Sequence, residues 1–282
     1  ARARPRLLRP RLTVQPPPPT SARAHILALA NQKGGVGKTT TAINLATALA
    51  AEHRVLLLDL DPQGNASTGL GIARADRAPG SYALLIEDHP LRDLIRPTSV
   101  PNLSLLTADP DLAGAEVELA AMEGRERRLA AAFTAQAEAL AGFDYIFLDC
   151  PPSLGLITLN ALVAADGVLV PLQTEFFALE GISHMTRTID RVRRALNPRL
   201  TLDGIVLTMV DRRNNLSDLV ANDARTFFKD KVYETVIPRS VRVTEAPSHG
   251  LPVLLYDFRS PGAQAYVRLA AEFLKRDRSR KA

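Results

Sequence analysis

One cysteine in 282 residues, Cys150, leaves no partner within the chain for a disulfide and no set of thiolates for a cysteine-rich metal site. A reducing, cytoplasmic setting fits that scarcity. No apolar run reaches the roughly 18 residues that a membrane-spanning helix requires. No internal repeat is found, and no second domain separates from the first. Acid is missing from one region only: residues 1–24 hold six Arg and no Asp or Glu.

Apolar residues make up 46% of the chain, enough for a full core. The net charge of +5 conceals three regions of different sign. Residues 1–24 carry a net +6; residues 25–179 hold 10 Lys and Arg against 18 Asp and Glu; residues 180–282 hold 19 against 12. Such asymmetry points to a surface that meets a polyanion, and the plainer reading is a set of scattered, solvated charges. Pro16–Pro19 favour an extended polyproline stretch, so residues 1–24 are set apart from the fold. A transit peptide, an overlong translation start and a disordered basic tail all fit this leader. The basic end, 278–282, is expected to be disordered as well, leaving residues 25–277 as a single domain.

Within that domain short apolar runs alternate with helical stretches. Strands are expected at Ile26–Ala30, Arg54–Leu58, Leu103–Leu106, Tyr145–Leu148, Gly167–Pro171, Gly204–Val210 and Val232–Ile237. Helices are expected at Lys38–Ala51, Glu123–Ala141, Leu156–Ala165, Glu175–Leu196 and Leu216–Lys229. Near-continuous apolar strands separated by helices indicate a doubly wound α/β domain, its mostly parallel sheet covered on both faces.

The first run leads into Asn31-Gln32-Lys33-Gly34-Gly35-Val36-Gly37-Lys38-Thr39-Thr40, and a helix follows. Strand, glycine-rich loop, Lys-Thr and helix form the context a phosphate-binding loop requires. Glycines let backbone N–H groups approach phosphate oxygens, and the helix N-terminus adds unpaired donors. Lys33 to Thr40 thus form the expected ATP cradle. Lys38 reaches the β- and γ-phosphates, and the Thr39 hydroxyl is a ligand for Mg²⁺. Two further carboxylates close apolar runs, Asp59 after the second and Asp149 after Tyr145–Leu148, with Asp61 two residues beyond Asp59.

One position departs from the usual loop: Gln32 stands where its first glycine belongs, and a second lysine, Lys33, follows. This loop resembles the deviant P-loop of the ParA/Soj/MinD family. The segments DLDPQGNASTGLG, LDCPPSLG, VPLQTEFFALEG and IPRSVRVTEAPSHG are similar to the chromosomal ParA/Soj type, and the likeness runs from about residue 26 to 275. The resemblance implies a slow, Mg²⁺-dependent ATP hydrolase that works as an ATP-sandwich homodimer. In it Lys33 acts on the partner's ATP and Asp61 orients the attacking water. Asp149 holds Mg²⁺ through water, Asp59 supports the metal's water shell, and Pro151-Pro152-Ser153 form the second switch. It also implies non-specific binding of double-stranded DNA through Arg213 and Arg242, association with the nucleoid, and stimulation by a ParB-like centromere-binding protein. Arg187, Arg191 and Arg194 fall at helical spacing and are read as a solvated face. A MinD-like membrane-positioning ATPase is the rival, because Ala265–Arg276 could pass for a basic amphipathic helix. That stretch holds few large apolar residues, so it is expected to pack on the core.

Overall fold

The structure is a computed structural model describing residues 23–281 apart from Phe177 and Arg212. Nearly all of the 1–24 leader therefore lies outside the described residues. Seven strands form one sheet: β1 (His25–Leu29), β2 (Val55–Asp59), β3 (Arg96–Pro97), β4 (Leu103–Leu106), β5 (Tyr145–Asp149), β6 (Gly167–Gln173) and β7 (Thr201–Thr208). Their order is β3-β4-β2-β5-β1-β6-β7, parallel throughout except for the short edge strand β3. This is the doubly wound architecture expected.

The strands read as unbroken apolar runs because each face has its own cover. Ile26, Ala28, Leu56, Leu58, Ile146 and Leu148 point to one side, against helices Arg128–Ala135, Leu156–Ala164 and Ala178–Ala195. Leu27, Leu29, Val55, Leu57, Tyr145 and Phe147 point to the other, against helices Lys38–Leu49 and Pro261–Lys281. The period of two along each strand decides the face.

Register positions the chemistry. Leu29 lies opposite Asp149, and Asp149 opposite Asp59, so three strand ends finish in one row. The chain leaves β1 for β2 on one side and reaches β6 on the other. The crevice outside the carboxyl end of β1 is thus a topological switch point, where open α/β sheets take ligands.

Three expectations are corrected. Val232–Ile237 is no strand: only isolated bridges at Val232 and Pro238 join it to the β7 side. Between them the N–H groups of Glu234 and Thr235 donate to the Glu272 carboxylate at 2.8 and 2.9 Å, which interrupts the ladder. The helix expected over Glu123–Ala141 starts only at Arg128, after a turn at Gly124 with positive φ, and breaks at Gln136. Residues 278–281 are helical, for the closing helix runs to Lys281; Arg280 pairs with buried Asp203, and Asp277 accepts the Tyr145 hydroxyl at 2.9 Å. That helix packs as expected. Ala265, Tyr266, Leu269 and Phe273 are buried beneath it.

Candidate functional site

The loop after β1 is braced from both sides before any ligand enters. Asn31 donates to the Pro171 carbonyl at 2.8 Å and accepts the Lys33 N–H at 3.0 Å, tying the loop to β6. The Thr208 hydroxyl donates to the Val36 carbonyl at 2.8 Å, tying it to β7. Gly35 and Gly37 have φ of 74° and 86°, a region that costs other residues strain. A Cβ on Gly37 would meet only ordinary contacts at 3.8 Å, so conformation and not space demands glycine there. The Lys38–Leu49 helix then begins with no side-chain cap and no acid in its first turn. Its free N–H groups and positive dipole end face the crevice, an anion site by construction.

Two buried ionisable groups in this crevice feel each other's charge, yet neither makes an ion pair among the described residues. Lys38 is 6% exposed, and its Nζ donates to the Lys33 carbonyl at 2.9 Å. Burial lowers its pKa, and the charges of Asp149, Cys150 and Asp61 oppose that shift. Asp149 is fully buried, and beyond the adjacent Thr39 hydroxyl neither carboxylate oxygen meets a hydrogen-bond donor. Burial pushes its pKa well up, the charge of Asp59 adds to this, and the Thr39 hydroxyl and Lys38 pull the other way. Unpartnered buried carboxylate oxygens beside a threonine hydroxyl fit the water shell of a hydrated divalent cation. Among the described residues no group of three His, Cys, Asp or Glu could hold a metal alone. The donor set therefore suits Mg²⁺ completed by water and phosphate oxygens, with Thr39 and Asp149 as the protein's share.

Asp59 has a different task from the one expected. Its Oδ2 accepts the Ser67 N–H at 2.8 Å and the Ser67 hydroxyl at 2.7 Å, and its Oδ1 takes the Asp61 N–H at 3.3 Å. Those bonds anchor the loop that carries Asp61, leaving little of Asp59 for a metal's water. Burial raises its pKa to about 6 against the pull of Ser67. Asp61 accepts the Gln63 N–H at 3.0 Å at the head of that loop. Gly64 follows with φ 64°, and a Cβ there would collide with the buried Arg77 guanidinium. Arg77 in turn donates to the Thr68 hydroxyl at 2.7 Å.

Lys33 turns away from its own loop. Its Nζ donates to Glu175 at 2.6 Å, both side chains being nearly half exposed. Arg213 and Arg242 lie outside the crevice on segments that meet: Val210 bridges Pro238, and the Arg239 N–H donates to the Val210 carbonyl at 3.1 Å. Each carries an acid. Asp211 grips Arg213 through Nε at 3.0 Å and Nη2 at 2.9 Å, and this fork holds the Asp211 carboxyl at about 2. Arg242 lies 3.1 Å from Glu245 and 3.4 Å from Asp257.

Sequence reasoning assigned no role to Glu175, Ser67 or Arg77. It also missed a pocket of about 230 Å³ beside Gly37 and Thr40, walled by Met209, Pro238 and Val243. Its residues come from distant segments, so no local spacing could reveal it. Glu116 was missed too; it accepts the N–H groups of Leu156 and Ile157 at 2.8 and 3.2 Å, fixing the helix after Pro151-Pro152-Ser153.

Comparison with known proteins agrees with this geometry. The model of a family described as "AAA domain" matches residues 24–202. The chromosome partitioning protein ParA of Caulobacter vibrioides is 57% identical over 258 residues, covering 91% of this chain and 96% of that protein. The sporulation initiation inhibitor protein Soj of Bacillus subtilis is 51% identical over 248 residues, covering 88% and 97%. A solved Mycobacterium smegmatis structure described as cobyrinic acid a,c-diamide synthase, with a bound ATP analogue and magnesium, superposes with a TM-score of 0.78. It is 37% identical and covers 91% of this chain and 96% of its own.

Proposed function

The chain belongs to the ParA/Soj family of chromosome-partitioning ATPases, and from that premise we propose a cycle in which ATP drives dimerisation and non-specific DNA binding and slow hydrolysis ends both. The observation that carries this reading is the pair of buried ionisable groups at the head of the Lys38–Leu49 helix, Lys38 and Asp149, which form no ion pair with one another. A polyphosphate with a hydrated divalent cation supplies what each lacks.

Phosphoryl transfer asks a protein for positioning and charge neutralisation more than covalent chemistry. Mg²⁺, when bound, neutralises phosphate oxygens beside Thr39 and Asp149. Gly34 to Thr40 supply backbone donors, and Lys38 places its charge at the β- and γ-phosphates. Asp61, held by the Asp59–Ser67 anchor, orients the attacking water. The pocket beside Gly37 and Thr40 accommodates the base. Lys33 reaches the partner's ATP only after leaving Glu175. An exposed pair of this kind is worth about 0–1 kcal/mol, so the release is cheap.

The paired subunits then present Arg213 and Arg242 twice on one face, where phosphate contacts need charge and no base reading. A ParB-like centromere-binding protein stimulates turnover, and the ATP-bound dimer resides on the nucleoid. What favours this over a MinD-like membrane role is the closing helix, whose large apolar residues are committed to the core. The deciding experiment is DNA co-sedimentation with ATP, ADP or no nucleotide, run beside phosphate release. Sedimentation only with ATP, together with turnover, is expected; DNA binding indifferent to nucleotide would overturn the cycle.

A further inference from the structure

At the opposite end of the same strands lies a cavity of about 840 Å³, which the ATP cycle does not use. Its floor is Ile26 of β1 and Ile146 of β5, and Val163 and Ala164 form one wall. The other wall is the segment expected to be one unbroken helix, which interrupts itself at Gln136. Small side chains face inward along it: Ala130, Ala137 and Ala141, beside Phe133 and Leu140. Its volume and apolar lining fall in the range typical of small-molecule sites.

The charged groups lining this cavity are of one sign, and Thr134 is the neutral polar side chain beside them. Arg23 and Arg199 line it, and no acid does. Arg23 is half exposed and lies 3.4 Å from Asp166; Arg199 is exposed, with no side-chain partner among the described residues. Apolar walls with guanidinium groups at hand match a ligand with an apolar body and one acidic head, since Arg binds carboxylates as a charge-assisted fork. Residues 1–22, which lead into Arg23, contain Leu7, Leu8, Leu12 and Val14 but also five Arg and no acid. Two more guanidinium groups repel such a segment. We propose that this cavity binds a single-chain carboxylate amphiphile, its chain between the Ala130–Ala141 segment and the sheet and its carboxylate at Arg199 and Arg23.

The test uses the full chain, dodecanoate as probe and dodecanol as its uncharged counterpart, read by titration calorimetry. Dodecanoate should bind about tenfold or more tighter than dodecanol, the worth of one charge-assisted hydrogen bond. Arg199→Ala should remove most of that difference and leave dodecanol binding unchanged. Ala137 is exposed, so Ala137→Phe should block the cavity to both probes without disturbing the core, with ATP turnover unaltered. Equal binding of the two probes, or unchanged dodecanoate binding in Ala137→Phe, overturns the proposal. So does a tenfold gain in dodecanoate affinity on replacing Leu7, Leu8, Leu12 and Val14 by Ser, because the leader would then be the natural occupant.

Discussion

The nucleotide crevice and the two basic loops carry charge in opposite ways. In the crevice Lys38 is 6% exposed with a carbonyl at its amine, and Asp149 is buried with only the Thr39 hydroxyl beside its carboxylate. On the loops the Arg213 side chain is 88% exposed and fully gripped by Asp211. Leaving a buried ion unpaired costs several kcal/mol, whereas pairing an exposed one gains about 0–1 kcal/mol. The crevice is therefore suited to a specific charged ligand. The loops are at rest in either state, and their partner must compete with a carboxylate for each guanidinium. One region is a switch set by ligand; the other is a surface tuned by counter-ions.

The sharpest way to break that contrast is to remove the buried cation. Lys38→Ala should abolish ATP binding or reduce it by about 10²–10³-fold, the cost of deleting one member of a buried ionic contact. Equilibrium binding of a fluorescent ATP analogue with Mg²⁺ reads this directly, and wild-type affinity would remove the crevice's claim to be a phosphate site. Next comes assembly. Asp61→Ala should bind ATP, fail to release phosphate and accumulate as a dimer, whereas Lys33→Ala should stay monomeric with ATP. Light scattering on a sizing column separates the two, and a Lys33→Ala dimer would end the cross-subunit role.

A third prediction concerns the anchor beneath Asp61. Burial raises the Asp59 pKa to about 6, above the roughly 3.9 of an unfolded aspartate. Between those values the folded chain holds more protons than the unfolded one, so stability falls as pH rises through about 4 to 6. The ligand-free protein should lose a few degrees of Tm across that window, and Asp59→Asn should flatten the decline. A wild-type Tm that climbs from pH 4 to 6 while Asp59→Asn shows the same climb would contradict the raised pKa of Asp59.

The crevice was far more legible in the sequence than the loops. Lys33–Thr40 fall within a ten-residue stretch after an apolar run, and Asp59 and Asp149 each close another. Local spacing therefore sufficed to place them before parallel pairing set them in a row. What escaped depends on residues far apart in sequence. Glu175 meets Lys33 across 142 positions. Glu272 takes the N–H groups that would have made Val232–Ile237 a strand. The apparent helix over 123–141 had the right composition, but Gln136 spends its side chain on the Leu91 N–H and the chain kinks there. Even the anchoring of Asp59 needed Ser67, eight residues on, whose role no spacing rule announces.

The smallest expected effects lie on the loops, and they discriminate best between a tuned surface and a mere solvated one. Each phosphate neutralised on duplex DNA releases about 0.9 counter-ion, so binding by an ATP dimer should weaken steeply with salt. Arg213→Ala and Arg242→Ala should each lower that slope and weaken binding to every sequence alike, with ATP-driven dimerisation intact. Asp211→Asn should act in the other direction. It frees the Arg213 fork from a competing carboxylate, a gain in affinity of a few-fold at most for each subunit. The gain should be largest at low salt and vanish when Arg213→Ala is added, because Asp211 then has nothing to release. Fluorescence anisotropy across a salt series compares all four variants with the wild type. If Asp211→Asn strengthens binding equally with and without Arg213, the effect is the general loss of a negative charge and Arg213 is not the contact. If neither arginine variant changes the slope, the basic half meets DNA elsewhere, with the exposed helix bearing Arg187, Arg191 and Arg194 next in line.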